Sequence, residues 1–160
     1  MTHLSHLPRR ALATLTAAAA CAALAVAAPT GADAATLASA SSCTKVAQIG
    51  TTKVVSDKGM QAFTVRQFRG WCADSRGSAW MNYSSTYVWS QYHVRGFSYR
   101  AYAGVAVTGQ DETEGFVAGA NRQQLVTSRP VRTVTSCTQG WGKLYRGGAE
   151  SAQGLTSLIC

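Results

Sequence analysis

Three sets of side chains in this sequence could do chemistry. One is five cysteines: Cys21, Cys43, Cys72, Cys137 and Cys160. A second is His93, the one histidine beyond the first six residues, with the scattered acids Asp57, Asp74, Asp111, Glu112, Glu114 and Glu150. The third is aromatic and cationic. Eleven of the fourteen aromatic residues lie between Phe63 and Tyr102, interleaved with Arg66, Arg69, Arg76, Arg95 and Arg100.

Cysteine chemistry depends on compartment. Residues 1–34 read as an export signal: Arg9 and Arg10 open it, an uncharged Ala-rich run spans Ala11 to Ala28, and Pro29 and Gly31 break it. Ala32-Asp33-Ala34 then supplies small residues for cleavage after Ala34. Removal takes Cys21 away and leaves four cysteines, an even count that in an oxidising compartment implies two disulfides. Four cysteines allow three connectivities. Cys43–Cys72 and Cys137–Cys160 are favoured, since each closes a local loop of about 25–30 residues, worth roughly 3–4 kcal/mol in the chain-entropy model. There is no C-x-x-C pair, and a zinc set would have to recruit His93, so neither metal nor cofactor is expected.

Catalysis finds little support. No G-x-S-x-G elbow accompanies His93, which sits beside Tyr92 and Val94 in a stretch expected to be strand. A glycosidase needs two carboxylates across a cleft, and nothing singles out a pair among the six. Asp111, Glu112 and Glu114 read as a solvated loop tip, with weak calcium binding the alternative. No catalytic residue is therefore assigned.

The aromatic and arginine stretch is the candidate binding feature. Half of these rings must fill a core. In a strand, however, neighbours face opposite ways, so one set of rings can remain outside. Trp80, Tyr87, Trp89, Arg95 and Arg100 are the candidate ligand face, suited to stacking on sugar rings or meeting anionic polymers. Single-stranded nucleic acid would suit the same mix, but export makes that partner the less expected one.

The elements that must position these residues read as strands. β-branched and aromatic residues dominate from Thr44 onward, punctuated by Gly, Ser, Asn and Asp. Strands are expected at 44–49 and 52–55, at 61–68 ending on an Arg69-Gly70 break, and at 78–83. The spacing predicts a hairpin from 86–94 and 97–108 joined at Arg95-Gly96, with Phe97, Tyr99, Ala101, Ala103, Val105 and Val107 on one face. Residues 118–124 suit a short helical turn, 131–137 a strand, and 140–142 a turn around Trp141. Residues 35–42 read as a flexible leader, and 43–160 as one all-β domain, a small antiparallel sandwich or barrel stapled by two disulfides.

Composition narrows the class further. Charged residues are 14% of the chain and hydrophobic ones 46%, too apolar for a disordered tail. The net charge of +8, about +7 after signal removal, comes from few acids rather than many bases, unlike a nucleic-acid-condensing polycation.

Two families share local patterns with the chain. The frame Cys43, Cys72, Cys137 with Trp141-Gly142, and Cys160 resembles the secreted spore-associated protein family of actinobacteria. That resemblance implies a small extracellular or spore-surface protein without known catalysis, and it supplies no site residues. Trp80 followed by Val88-Trp89-Ser90-Gln91-Tyr92-His93 is similar to the core of the lactococcin 972 bacteriocin family, cationic β-rich proteins acting at the cell envelope. That family lacks the cysteine frame present here.

The sequence thus predicts a secreted, non-enzymatic, cationic β-protein that binds at, or forms part of, a bacterial cell or spore surface. Its expected partner is an envelope polymer or glycan, or a protein target, and no transmembrane segment is expected after signal cleavage. The alternative is a bacteriocin-like antagonist or a hydrolase or protease inhibitor presenting the loop Arg69–Arg76. A small carboxylate-based hydrolase stands third.

Overall fold

The computed structural model describes residues 43–147 and 149–160. The expected export signal (1–34) and leader (35–42) lie outside the described residues.

The described residues form eight strands: β1 (Cys43–Asp57), β2 (Met60–Asp74), β3 (Gly77–Val88), β4 (Tyr99–Val107), β5 (Thr113–Asn121), β6 (Leu125–Thr127), β7 (Thr138–Arg146) and β8 (Ala149–Leu155). A four-residue helix, α1 (Ser90–His93), precedes β4. Two four-stranded antiparallel sheets result, ordered β1-β2-β3-β6 and β5-β4-β7-β8. They stack face to face as the small all-β sandwich that the residue pattern predicts. Among the described residues no helix is long and apolar enough to cross a membrane.

The first sheet starts as a meander. β1 turns into β2 through Lys58-Gly59, both at positive φ (54° and 72°), the backbone hand that suits a two-residue hairpin loop. β2 and β3 then pair without a register shift from Phe63↔Val88 to Asp74↔Gly77. The expected break at Arg69-Gly70 is absent. Strand pairing continues through it because the bare Gly70 leaves room for Val46 and Cys43 of β1; a Cβ there would stand 3.2 Å and 3.3 Å from their side chains. The break expected at Gly50 is likewise only an irregularity within β1.

The predicted hairpin across Arg95-Gly96 does not form. β3 ends at Val88 in the first sheet and β4 begins at Tyr99 in the second, so this segment is a crossover. Its turn, α1, is tied by His93 N–H donating to Trp89 O (2.9 Å) and drops Tyr92 into the core, fully buried. The face prediction for β4 does hold: Tyr99, Ala101, Ala103, Val105 and Val107 are all buried.

Three further expectations change. Residues 118–124 are mostly strand β5 rather than a helical turn. Residues 131–137 carry only an isolated bridge, Asn82↔Val131, because after Pro130 the chain must cross from the first sheet to the second. The expected turn at Gly140–Gly142 is the interior of β7. These glycines face inward where the sheets come closest: a Cβ on Gly142 would stand 2.5 Å from Val65 Cγ2 and also collide with Thr86.

The core between the sheets has two halves. At the α1 end it is apolar, built on Phe63, Val65, Val88, Tyr92, Tyr99, Ala101, Ala103, Val126 and Leu144. At the other end it is polar and hydrogen-bonded. Gln67, fully buried, donates to Thr138 Oγ1 (2.7 Å) and accepts from Gly140 N–H (3.0 Å) and Thr156 Oγ1 (3.1 Å). Ser84 Oγ donates to Trp141 O (3.2 Å) and accepts from Gly104 N–H (3.0 Å). Buried polar groups held this way cost little because their partners replace lost water.

Both expected disulfides are present. Cys43–Cys72 joins β1 to β2 at directly opposed positions. Cys137–Cys160 joins the start of β7 to the segment after β8, beside the Thr138↔Ile159 bridge.

Candidate functional site

The five residues expected to form one ligand face lie on three different surfaces. Trp80 and Tyr87 are on opposite faces of β3, since Trp80 shares the inward face with Ser84 and Thr86 while Tyr87 stands next to Thr86. They are also roughly 23 Å apart along the strand, at about 3.3 Å per residue. Tyr87 and Trp89 do keep company, with ring centroids 6.4 Å apart. Trp89 is half-buried and its indole Nε1 donates to Thr64 Oγ1 (2.8 Å), so its polar edge is already used. Arg95 is exposed in the loop after α1, and Arg100 is exposed on the outer face of β4, on the second sheet.

An outward-facing aromatic surface is built around Arg100's neighbours instead. β7 reads Thr138-Gln-Gly-Trp-Gly-Lys-Leu-Tyr-Arg146, with Thr138, Gly140, Gly142 and Leu144 buried. Strand alternation therefore turns Trp141, Lys143 and Tyr145 outward. Register places Tyr102 of β4 opposite Lys143, and Arg100 opposite Tyr145. β5 adds Phe116, which is 42% exposed.

These side chains form a continuous row. Phe116 lies 6.0 Å from Trp141 and stacks on Tyr102 at 5.5 Å; Tyr102 meets Tyr145 edge-on at 5.2 Å. Lys143 Nζ sits 4.9 Å from the Tyr145 ring centroid and 6.0 Å from that of Trp141, a cation held over π faces. At the Tyr145 end the row opens into a hollow of about 620 Å³, lined in part by Ser98, Arg100, Tyr102, Asn121 and Tyr145. Phe116, Trp141 and Tyr145 are the three aromatics that fall outside the dense 63–102 stretch. The alternation of Gln139, Trp141, Lys143 and Tyr145 is the sequence signal that marks them.

A second exposed aromatic cluster sits at the far end of the β2–β3 hairpin. Trp71 and Trp80 are directly opposed, 39% and 36% exposed, with rings edge-on at 5.7 Å. The Arg69 guanidinium lies 5.4 Å from the Trp80 ring centroid. The segment Arg69–Arg76, expected to be a loop, is strand up to Asp74, and only Ser75-Arg76 turns. Arg132 braces this tip from outside. Its Nε and Nη2 donate to the two Asp74 oxygens (2.9 Å and 2.8 Å), and Nη2 also donates to Gly77 O (2.7 Å). The Arg132 hydrogen bonds hold the Asp74 carboxyl well below the usual carboxylate range.

His93 and Asp57 are engaged in contacts of their own. His93 Nδ1 lies 2.7 Å from Tyr99 OH. Asp57 accepts from Tyr92 OH (2.5 Å) and pairs with Arg146 (3.3 Å). Burial pushes the Tyr83 and Tyr99 phenols up to about 12, and burial with the Asp57 hydrogen bond raises Tyr92 further. Asp111 and Glu112 are exposed in the β4–β5 loop, while Glu114 lies within β5. Among the described residues, no three His, Cys, Asp or Glu side chains gather as a metal site.

Comparison of the chain with family models, with curated proteins and with solved structures finds no match in any of the three.

Proposed function

We propose that this domain is a secreted, non-enzymatic binding module for glycans of the bacterial cell or spore surface, and that the outer face of the second sheet is its ligand platform. The observation that supports this reading best is the row Phe116–Tyr102–Tyr145 with Trp141 and Lys143, its Phe116 exposed and the others half-buried, on the outer face of a rigid strand scaffold. Aromatic faces stack on the C–H faces of sugar rings, and cations among them favour anionic polymers. Strands hold such rings with little conformational freedom left to lose on binding.

The test is retention on purified bacterial cell walls. The parent should be retained, and Trp141→Ala combined with Tyr102→Ala should weaken retention about tenfold or more while the protein stays folded by circular dichroism. Trp89→Ala with Arg95→Ala should leave it unchanged. Retention indifferent to the platform pair would overturn the assignment. So would a stable dimer in sedimentation that Phe116→Lys converts to monomer, because a second copy would then own this face.

The second reading is an antagonist of other cells or of their enzymes. It draws on the braced hairpin end, where Trp71, Trp80 and Arg69 are presented rigidly. Killing of indicator cells or inhibition of a protease panel, abolished by Trp80→Ala but not by Trp141→Ala, would favour it.

A further inference from the structure

We propose that the platform selects acidic glycans, and that the hollow at its Arg100 end is the subsite for the acidic substituent. The inference rests on the glycan reading above and adds the ligand's charge and the place where that charge is read.

The geometry runs from the rings into the hollow. Tyr102 and Tyr145 belong both to the aromatic row and to the hollow's wall, so a sugar stacked on them carries its ring substituents to the opening. Arg100 lies directly opposite Tyr145 across the β4–β7 pairing, and its exposed side chain makes no ion pair among the described residues. Ser98 Oγ donates to Asn121 Oδ1 (3.1 Å), which uses that amide's acceptor and leaves its N–H donors for another partner. None of the hollow's lining residues is acidic. A guanidinium with nearby amide N–H donors, and no carboxylate among the described lining residues to satisfy them, suits a planar carboxylate or a phosphate oxygen pair. The volume of about 620 Å³ admits a ring substituent with its solvation rather than a tight single ion.

Carboxylate and phosphate share this chemistry, so the experiment carries both. Binding is measured for hexagalacturonate, for its fully methyl-esterified form, and for a poly(glycerol phosphate). The esterified hexamer keeps the rings and removes the charge. The parent should bind hexagalacturonate or the phosphate polymer at least about tenfold more tightly than the ester. Arg100→Gln should reduce that preference to within about twofold and leave ester binding unchanged. Lys58→Gln, a charge change on the other sheet, should leave the preference intact. Trp141→Ala should weaken acid and ester alike.

Equal binding of acid and ester by the parent would overturn the acidic subsite and leave the glycan platform standing. A preference that survives Arg100→Gln, or that Lys58→Gln removes equally, would overturn the assignment to this hollow. Binding of none of the three probes, with wall retention also absent, would overturn the platform itself. An Arg100-dependent preference for the phosphate polymer over hexagalacturonate would support the subsite with phosphate as its source.

Discussion

At the end of the β2–β3 hairpin, two tryptophans face each other across a single register pair, and a cation lies over one of them. On the outer face of the second sheet, four aromatics spread over three strands, with a cation over two of them and a hollow beside the last. Both clusters combine Trp with Lys or Arg, and composition cannot tell them apart. Their construction can. Trp71 and Trp80 satisfy each other in a closed cross-strand pair next to a disulfide and a salt-bridged turn, the arrangement by which a hairpin stabilises itself. The platform rings are offset along neighbouring strands, so their faces form an extended surface larger than any one pair needs. Aromatics in register hold a strand pair together, whereas aromatics across several strands make a floor.

Four measurements can break or sharpen this contrast. The largest effect belongs to the hairpin side. Cys43→Ala with Cys72→Ala should lower stability by roughly 3–4 kcal/mol, read from denaturant midpoints, and the fraction that remains folded should still be retained on walls. Loss of retention by that folded fraction would tie the two regions together. Next comes the platform's support. Gly142→Ala should cost about 1–3 kcal/mol by overpacking against Val65 and Thr86, and it should also disturb ligand binding through displacement of Trp141 and Lys143.

Trp80→Ala should cost about 1 kcal/mol as the cross-strand ring contact is lost, with glycan affinity unchanged. Trp141→Ala should do the reverse, so a Trp80 variant that loses affinity would erase the distinction. The smallest effect is a pH dependence. The folded Asp74 carboxyl titrates below its ordinary value of 3.8. Its pairing with Arg132 therefore contributes fully above about pH 4 and fades as acid protonates the folded group. The stability gap between the parent and Asp74→Asn should narrow as pH falls below about 4, and a gap flat to pH 2 would show that the brace is not ionic.

Much of the framework was legible from residues. Both disulfides followed from the even cysteine count and the preference for local loops, and the inward face of β4 followed from strict alternation. What misled was density. The crowded stretch 63–102 supplies Phe63, Phe68, Tyr83, Tyr92 and Tyr99 to buried positions, so aromatic concentration marked the interior. The outward-facing row draws three of its four rings from outside that stretch. Trp141 was hidden for a physical reason: glycines on both sides of it look like a turn, yet here they are the small inner face that lets two sheets approach. Inter-sheet distance has no signature in one strand's sequence. The hairpin across Arg95-Gly96 failed similarly, because turn residues do not reveal whether the next strand returns to the same sheet.

The Gln67 network has a consequence for how the molecule opens. Contacts among apolar side chains are non-directional and survive small displacements, but the Gln67 amide is bound at both its oxygen and its nitrogen by groups from β7 and the segment after β8. Sliding one sheet past the other would leave that amide unpaired in a dry interior. The sandwich is therefore keyed, and its two plates should separate together rather than creep. In hydrogen exchange, the Gly140 amide should surrender its proton only through global unfolding, while amides of the β4–β5 loop exchange through local fluctuation.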